Sequence, residues 1–540
     1  MNILLPCSLF LASFYSMLSR ICPSIYPDDS PETIIASVTL GITHPPGDSV
    51  LALAGKIWTI VPLGNMAMRM NLLSAVFASL ACLQAFRLVT RIFPGRLPSL
   101  AAAATLYALF IFNPLLVQQA AVAKGGVYTL NLVILLSAAI ALQKGDNYSP
   151  PLIFGLLAAH HWMTFAAVSP VMGSWWAANL ARSTRPKTSQ LACGILFFLS
   201  GFSVLIYLPV RASQDPFLSW GQPSSLQRLT THYLRKVYLP EEMRGTPLTW
   251  QRQAVDGLKA IRNEMGWTGL ALACAGIPGL LSVSFLSLAL PLLGALVPFL
   301  ITAVYLDLRP ELLHLLGIYL FPSWLGLAIL ASSGAAWLAG SRRRETRALA
   351  LLLPALAAAA LIPAGGIYNA GRSTWSYDVG RALLAPLPEN AGILVTSDLD
   401  TFPLWYFQAV ECCRMDVLVV NTTLMRHQWY REHIEGLSGV RRLRELENRE
   451  AAIRYLVYSS RRFWFSAAGD IGGIPPELPR APYYFTYSLG GGRPVFSFRG
   501  LSSRGIIECW SRLPEQTASI SLDYITEVYR NVSRPAGKTD

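Results

Sequence analysis

The stretch LACGILFFLSGFSVLIYL, residues 191–208, decides the architecture of this chain. Apolar residues fill every face of it, without the one-sided 3.6-residue period of a helix resting on a soluble core. Its length comes close to the ~20 helical residues that a bilayer core requires. In lipid the backbone must satisfy its own hydrogen bonds, and a helix does so internally. Residues 312–330 repeat the pattern. Over the whole chain hydrophobic residues reach 53% and charged ones only 14%, against roughly 25% charged in an ordinary soluble domain. That composition excludes a soluble enzyme.

Working outward, apolar runs lie near 3–19, 71–92, 98–118, 125–143, 151–163, 164–181, 190–209, 267–284, 286–306, 312–334 and 347–365. They predict a polytopic α-helical membrane protein with about eleven transmembrane helices. The short pair within 151–181 could instead be re-entrant. The first run resembles a signal peptide, but no A-x-A-like site follows it, so it reads as an uncleaved anchor. The net charge of +13 is concentrated in short connections: Arg87, Arg91 and Arg96; Arg182, Arg185 and Lys187; Arg342, Arg343, Arg344 and Arg347. That is the positive-inside pattern rather than a nucleic-acid surface, because no aromatic and basic platform accompanies it. Placing these connections in the cytoplasm puts loops 20–70 and 210–266, and everything after 366, on the far side. The expected domains are therefore a membrane domain over 1–365 and a C-terminal extracytoplasmic α/β domain over 366–540. The expected location is a cell membrane of the bacterial inner-membrane kind. In the tail, GILVTSD (392–398), TFPLWYFQAVE (401–411) and DVLVVN (416–421) read as strand, helix and strand of a βαβ unit with a parallel sheet. The eight cysteines are scattered, and the adjacent Cys412 and Cys413 suit neither zinc spacing nor a mutual disulfide.

The residues that could carry chemistry lie in the far-side segments. YPDDSPETIIASVTLGITHPPGDS opens with Asp28, Asp29 and Glu32. Read locally, Asp29 or Ser30 caps a helix, Pro31 sits in its first turn and Glu32 complements the dipole. Read chemically, a carboxylate just beyond the first helix serves as general base toward an acceptor hydroxyl, or holds a divalent cation beside a phosphate. The prolines after His44 fix that imidazole in place. His160 and His161 interrupt an apolar segment, where ionisable groups mark function. As neighbours on a helix they diverge by about 100°, which suits hydrogen bonding to a substrate better than joint metal ligation. Arg211 leaves the membrane beside Trp220, and its planar fork suits a lipid phosphate. Asp398 and Asp400 sit at the carboxyl end of the first tail strand, the edge where open α/β sheets take ligands.

In order, DSPE (29–32), LGITHPPG (40–47), MNLLSAVFASLA (70–81), HH (160–161), YLPVRA with WGQP (207–223), IYLFPSW (318–324) and DLDTFPLWYFQAVE with DVLVVNTTL (398–424) resemble one family. It is the protein O-mannosyltransferase-like group of the GT-C glycosyltransferase superfamily, which carries D-S-G-E, L-G-I-x-H-P-P-G and R-x-N-L-L-S-A segments. The resemblance implies a GT-C-like fold and an inverting hexosyl or mannosyl transfer on the far side. The donor would be a polyprenyl-phosphate-linked sugar in the membrane lipid, and the acceptor a protein, lipid or polysaccharide hydroxyl. It further implies Asp29 as base with Glu32 as companion, and donor contacts from Asp28, His44, His160, His161, Arg211 and Trp220. An acceptor site in the tail would then lie at Asp398 and Asp400. Pro31 replaces the family's glycine, and Gly126 in KGGVYTLN (124–131) stands where relatives commonly show E-V-Y. A flippase for lipid-linked sugars, or a non-catalytic assembly protein, are the rival expectations.

Overall fold

The computed structural model describes residues 4–184, 186–238, 247–305, 316–367, 370–385, 387–460, 462–466, 484–490 and 493–499. Its first half is helical: α1 (Leu4–Leu18), α2 (Ser30–Thr39), α3 (Ser49–Trp58), α4 (Met66–Ile92), α5 (Arg96–Ile111), α6 (Pro114–Ala120) and α7 (Gly126–Gln143). Next come α8 (Ser149–His160), α9 (Trp162–Arg182) and α10 (Lys187–Phe202), the last running on through short turns to Ala212. Long helices follow at Pro247–Leu281, Phe285–Tyr305, Phe321–Ala339 and Arg344–Ile367.

Among the described residues six helices are long and apolar enough to cross a membrane, or seven if one bent pair counts as a span. The chain is thus a multi-pass membrane protein, with a smaller set of full-length spans than the eleven expected. α1 and α8 fall short of a span. The expected single span over 98–118 is α5 and α6, bent by 71°. The break has a local cause. Asn113 caps α6 by accepting the Leu116 amide at 2.6 Å, and Pro114 opens the new helix. The span expected at 267–284 is the second part of a helix kinked at Gly266, whose φ of 63° no helix continues through. The run expected from 312 is described from Leu316, where a single helical turn to Tyr319 precedes the long helix from Phe321, and 306–315 lie outside the described residues.

The basic connections gather at one end of the bundle. Phe93, Pro94 and Pro98 share a depression with Trp337, Ser341 and Thr346. Arg87 and Arg91 share another with Lys144 and Asp146. Asn147 donates to Gln190 at 2.8 Å. At the opposite end Ile42 bridges Ser219, and the Cys22 amide donates to Ala121 at 3.0 Å. The α8–α9 pair runs from the basic end to this end and back, with α8 shorter than a full span.

The tail folds around a parallel sheet, β1 (Gly392–Val395), β2 (Leu418–Asn421) and β3 (Phe463–Phe465), in the order β2-β1-β3. Ile393 pairs with Val419 and with Trp464. Helix Asp398–Ala409 connects β1 to β2, which is the βαβ unit read from the sequence. A separate antiparallel pair spans Tyr484–Gly490 and Arg493–Arg499, and 500–540 lie outside the described residues. Helix Asp398–Ala409 packs directly on α2. Arg228 of the second loop reaches Glu432 of the tail at 3.1 Å. The Trp220 ring lies 6.3 Å from Phe402 and 5.7 Å from Trp429.

Because loop and tail touch, they must occupy one compartment. Single cysteines at the exposed positions Ile60 and Met415, in a background without native cysteines, should label together with a membrane-impermeant thiol reagent in sealed vesicles. A cysteine at Arg343 should label only in vesicles of the opposite orientation. Opposite behaviour at 60 and 415 would contradict the packing.

Candidate active site

Short backbone clamps build the site. Asn71 donates its amide to the carbonyls of Cys22 and Ser24, at 2.8 and 2.9 Å, and so fixes the chain as it leaves α1. Arg69 spans Thr59, Leu63 and Gly64. At the far end of α2, the Tyr207 hydroxyl donates to Gly41 at 2.7 Å, and Arg211 donates to Leu40 at 2.7 Å and Thr39 at 3.2 Å. The expected phosphate role for Arg211 meets a correction here. Its guanidinium also bonds Gln214, so the fork is spent on the carbonyls that end α2, one helix length from Asp29.

The local capping reading of the DSPE segment fails as well. Asp29 stands at the N-cap of α2 but its side chain caps nothing, although Pro31 does sit in the first turn. Glu32, fully buried, accepts the His44 amide at 2.8 Å and faces His44 Nδ1 at 2.5 Å. The freed Asp29 carboxylate lies 3.5 Å from His44 Nε2 and 3.6 Å from Lys124 Nζ. Lys124 also reaches Asp48 at 3.4 Å. Ser30 delivers this lysine, because its hydroxyl accepts the Ala123 amide at 3.1 Å and ties the first loop to the turn before α7.

Asp398 arrives from the tail. Carboxylate oxygens of Asp28, Asp29 and Asp398 all lie within 4.8 Å of one another. Asp400 does not join them. It accepts from the Ser397 amide and hydroxyl and from Ser466, closing a capping box that stabilises helix Asp398–Ala409. Two residues along a helix turn by about 200°, so only one of the two aspartates can face the cluster.

The electrostatics follow from this crowding. Burial pushes the Asp29 carboxyl up, but His44 and Lys124 outweigh it and hold it below the usual carboxylate range. Burial, then Asp29 and Asp28, push the Asp398 carboxyl well above that range. Burial opposes charge on His44, yet Glu32 and Asp29 raise it to about 9, so it is an imidazolium at neutral pH.

Trp220 flanks the cluster with its ring 6.1 Å from His44. The backbone Trp220 N–H donates to Ile42 at 3.1 Å, joining the two far-side loops. His232 completes the join. A Cβ on Gly47 would stand 3.0 Å from its Nε2, and one on Gly221 2.9 Å from its Nδ1, so the ring is wedged between the loops. Both glycines have positive φ. Burial keeps this imidazole neutral, pushed down to about 3.

His160 and His161 part company. His160 Nε2 contacts the Val127 carbonyl at 3.1 Å, while His161 accepts the Thr164 amide at 3.2 Å and lines a cavity of about 370 Å³. That cavity is bounded by Tyr128, Asn131, Leu135, Trp162 and Phe321. It is mostly apolar.

Sequence reading missed Lys124 and Asp48. Asp48 shares the loop of His44, and an acid after a glycine there looks like an ordinary turn residue. Lys124 was overlooked beside the Gly126 departure. A Cβ on Gly126 would stand 3.0 Å from Ser74 Oγ and 3.2 Å from a Leu51 methyl. That space is filled, so no vacancy waits there for an acid.

Three carboxylate oxygens at this spacing form an all-oxygen donor set that fits a hard divalent cation.

The family model for the protein O-mannosyl-transferase TMEM260 N-terminal domain matches residues 29–140, and that for TMEM260-associated domain 2 matches 376–436. The resemblance to the protein O-mannosyltransferase-like group thus holds in both the first loop and the tail. The chain is 25% identical over 459 residues to protein O-mannosyl-transferase TMEM260 of Mus musculus, covering 78% of this chain and 63% of the relative. It therefore spans less than two thirds of that protein's length. Among solved structures, ArnT from Cupriavidus metallidurans bound to undecaprenyl phosphate aligns with a TM-score of 0.49 at 13% identity, over 79% of this chain and 91% of that one. The Archaeoglobus fulgidus oligosaccharyltransferase in the apo form aligns with a TM-score of 0.43 at 13% identity, over 84% and 68%.

The His44–Glu32 contact makes stability depend on pH. A histidine whose folded value is raised contributes fully below its unfolded value near 6.5 and loses that contribution as pH rises through about 9. Thermal unfolding of the purified protein should show this decline between about pH 6.5 and 9. His44→Gln should remove that component of the decline. An equal decline in the variant would assign it to other groups.

Proposed function

We propose that this chain is a membrane glycosyltransferase that moves a mannose-like hexose from a polyprenyl-phosphate donor to an acceptor hydroxyl. One juxtaposition carries the reading. The Lys124 ammonium, just before the start of α7, interacts electrostatically with Tyr128, which lines the apolar cavity. An ammonium at the mouth of an apolar chamber suits an amphiphile with an anionic head and a hydrocarbon tail. The matches to O-mannosyl-transferase domains support the sugar as the transferred group.

The groups then divide the work. The donor phosphate sits against Lys124 and His44, and its hydrocarbon extends past Tyr128 and His161. The acceptor O–H approaches the anomeric carbon from the side of Asp29. As the new C–O bond forms, the C–O bond to phosphate breaks and Asp29 takes the hydroxyl proton. Polyprenyl phosphate leaves with its negative charge met by Lys124 and the His44 imidazolium. A single displacement inverts the anomeric centre. Lys124 and His44 are shared between Asp29 and the incoming phosphate, so donor binding weakens their hold on Asp29 and strengthens it as a base. Asp398, whose carboxyl burial and the neighbouring acids push up, faces the same space as Asp28 and Asp29. A divalent cation between Asp28, Asp29 and Asp398 would supply further positive charge for the leaving phosphate.

Asp29→Asn should lower transfer by roughly a hundredfold or more, the usual worth of a general base. It should leave binding of polyprenyl phosphate intact. Lys124→Ala should weaken that binding, whereas Arg211→Ala should leave it nearly unchanged. Transfer with purified protein, donor lipid and acceptor, alongside lipid-binding isotherms, reads all three. Normal transfer by Asp29→Asn would remove the base. Lipid translocation in liposomes, unaffected by Asp29→Asn and with no sugar transferred, would establish the flippase reading instead.

A further inference from the structure

At the basic end of the bundle a depression of about 400 Å³ is lined by α4, α7 and α8. α4 and α8 each pack on α7, and the depression lies between them. The transfer chemistry sits at the opposite end and uses none of it. Its rim carries Arg87, Arg91 and Lys144, all exposed. Arg87 and Arg91 are one helical turn apart on the same face of α4, and Lys144 ends α7.

Two features show what the depression would hold. The first is uncompensated charge. The two guanidinium groups and the ammonium make no hydrogen bond and no ion pair among the described residues. Cations at helix C-termini commonly serve the last carbonyls. Here other groups reach those carbonyls. The Phe93 amide donates to Val89 and the Gly145 amide to Leu142, both at 3.0 Å, and the Gln143 side chain donates to Leu88 at 3.2 Å. Asp146, the acid in the depression, is engaged elsewhere. Its carboxylate accepts the Tyr148 and Ser149 amides at 2.8 and 3.1 Å where α8 begins, and it meets Lys144 only at longer range. The second feature is an apolar wall. Ile140 stands one turn before Lys144 on α7, and Ile153 stands one turn into α8, so both lie deeper in the bilayer than the rim. Leu152, beside Ile153, is exposed on the flank of α8. Deeper still, Gln84 donates to Ser137 at 2.9 Å, so the floor partners itself.

We propose that this depression binds an anionic glycerophospholipid of the adjoining leaflet, with its phosphate among Arg87, Arg91 and Lys144 and an acyl chain along Ile140 and Ile153. Each guanidinium fork offers a phosphate two parallel donors, and the ammonium adds a third charge. A soluble phosphate would meet the same cations but gain nothing from the isoleucines. A diffuse basic surface would attract anionic lipid without a preferred place, whereas these three charges converge on one hollow. The bound lipid also relieves the repulsion among them and so steadies the junction of α4, α7 and α8. The proposal is independent of the transfer reaction.

The test uses full-length protein in phosphatidylcholine nanodiscs doped with a phosphatidylglycerol that carries a diazirine high on one acyl chain. After illumination, adducts mapped by mass spectrometry should concentrate in segment 137–153. The same diazirine on phosphatidylcholine should label that segment about tenfold less. Arg87→Gln, Arg91→Gln and Lys144→Gln should each cut the labelling about fivefold, while Arg87→Lys should keep most of it. All three side chains are exposed, so thermal unfolding of these variants should match the parent. Arg342→Gln and Arg343→Gln, exposed in another connection at the same end, should leave labelling unchanged. Unlabelled phosphatidylglycerol should compete, and glycerol phosphate should not. Equal labelling by the two lipids, or adducts concentrated elsewhere, would overturn the proposal. Competition by glycerol phosphate would replace it with a site for a soluble anion. An equal loss in Arg343→Gln would reduce it to the general charge of the surface.

Discussion

An ammonium held among carboxylates is the interaction on which the far-side end depends. Lys124 lies 3.4 Å from Asp48 and 3.6 Å from Asp29, in a region that also holds Glu32, Asp28 and Asp398. Buried carboxylates repel one another and lose hydration, and they stay charged only beside a cation or as strong hydrogen-bond acceptors. Lys124 and the His44 imidazolium supply that compensation for Asp29 and Asp48 and hold both low. Asp398 receives less of it, and burial with the neighbouring acids pushes its carboxyl up. Acids of one residue type are thereby pushed in opposite directions.

The motifs that make the chain resemble its relatives do their work by holding one another. Asn71 of MNLLSA secures the exit of α1. Tyr207 and Arg211 of YLPVRA secure the end of the helix that DSPE begins. Trp220 of WGQP and Ile42 of LGITHPPG bond through the backbone. Helix Asp398–Ala409 of the tail then packs on α2. Most of these residues never meet the reacting groups. They hold Asp29, His44 and Lys124 in register, and positioning to within tenths of an ångström is what such chemistry demands.

Much of the fold was readable, because lipid imposes simple rules. Uninterrupted apolar runs, basic connections and a strand–helix–strand spacing in the tail need no knowledge of distant contacts. The failures were of two physical kinds. Helix breaks depend on local capping, as at Asn113 and Gly266, which a hydropathy average smooths away. Side-chain assignments depend on partners far along the chain. Arg211 has the right chemistry for a phosphate, but two backbone carbonyls reach it first. Asp398 and Asp400 look equivalent in sequence, and helical phase separates them. Lys124 follows an apolar run as many membrane-flanking lysines do, and only the Ser30 contact shows where it points. The DSPE and HPPG segments meet in space through the Glu32–His44 contact, which displaces the local capping explanation.

The wedged ring of His232 has a consequence for how such a sequence can drift. Its two nitrogens stand 3.0 and 2.9 Å from where side chains at 47 and 221 would begin, on backbones that already favour glycine. Neither glycine can change while the imidazole stays, and a smaller residue at 232 opens a gap between the loops that neither glycine can fill. The three positions are therefore bound by epistasis. A lineage that has lost the histidine is still held at both glycines by their positive φ, and at 47 also by Leu208, whose methyl stands 2.8 Å from the same point.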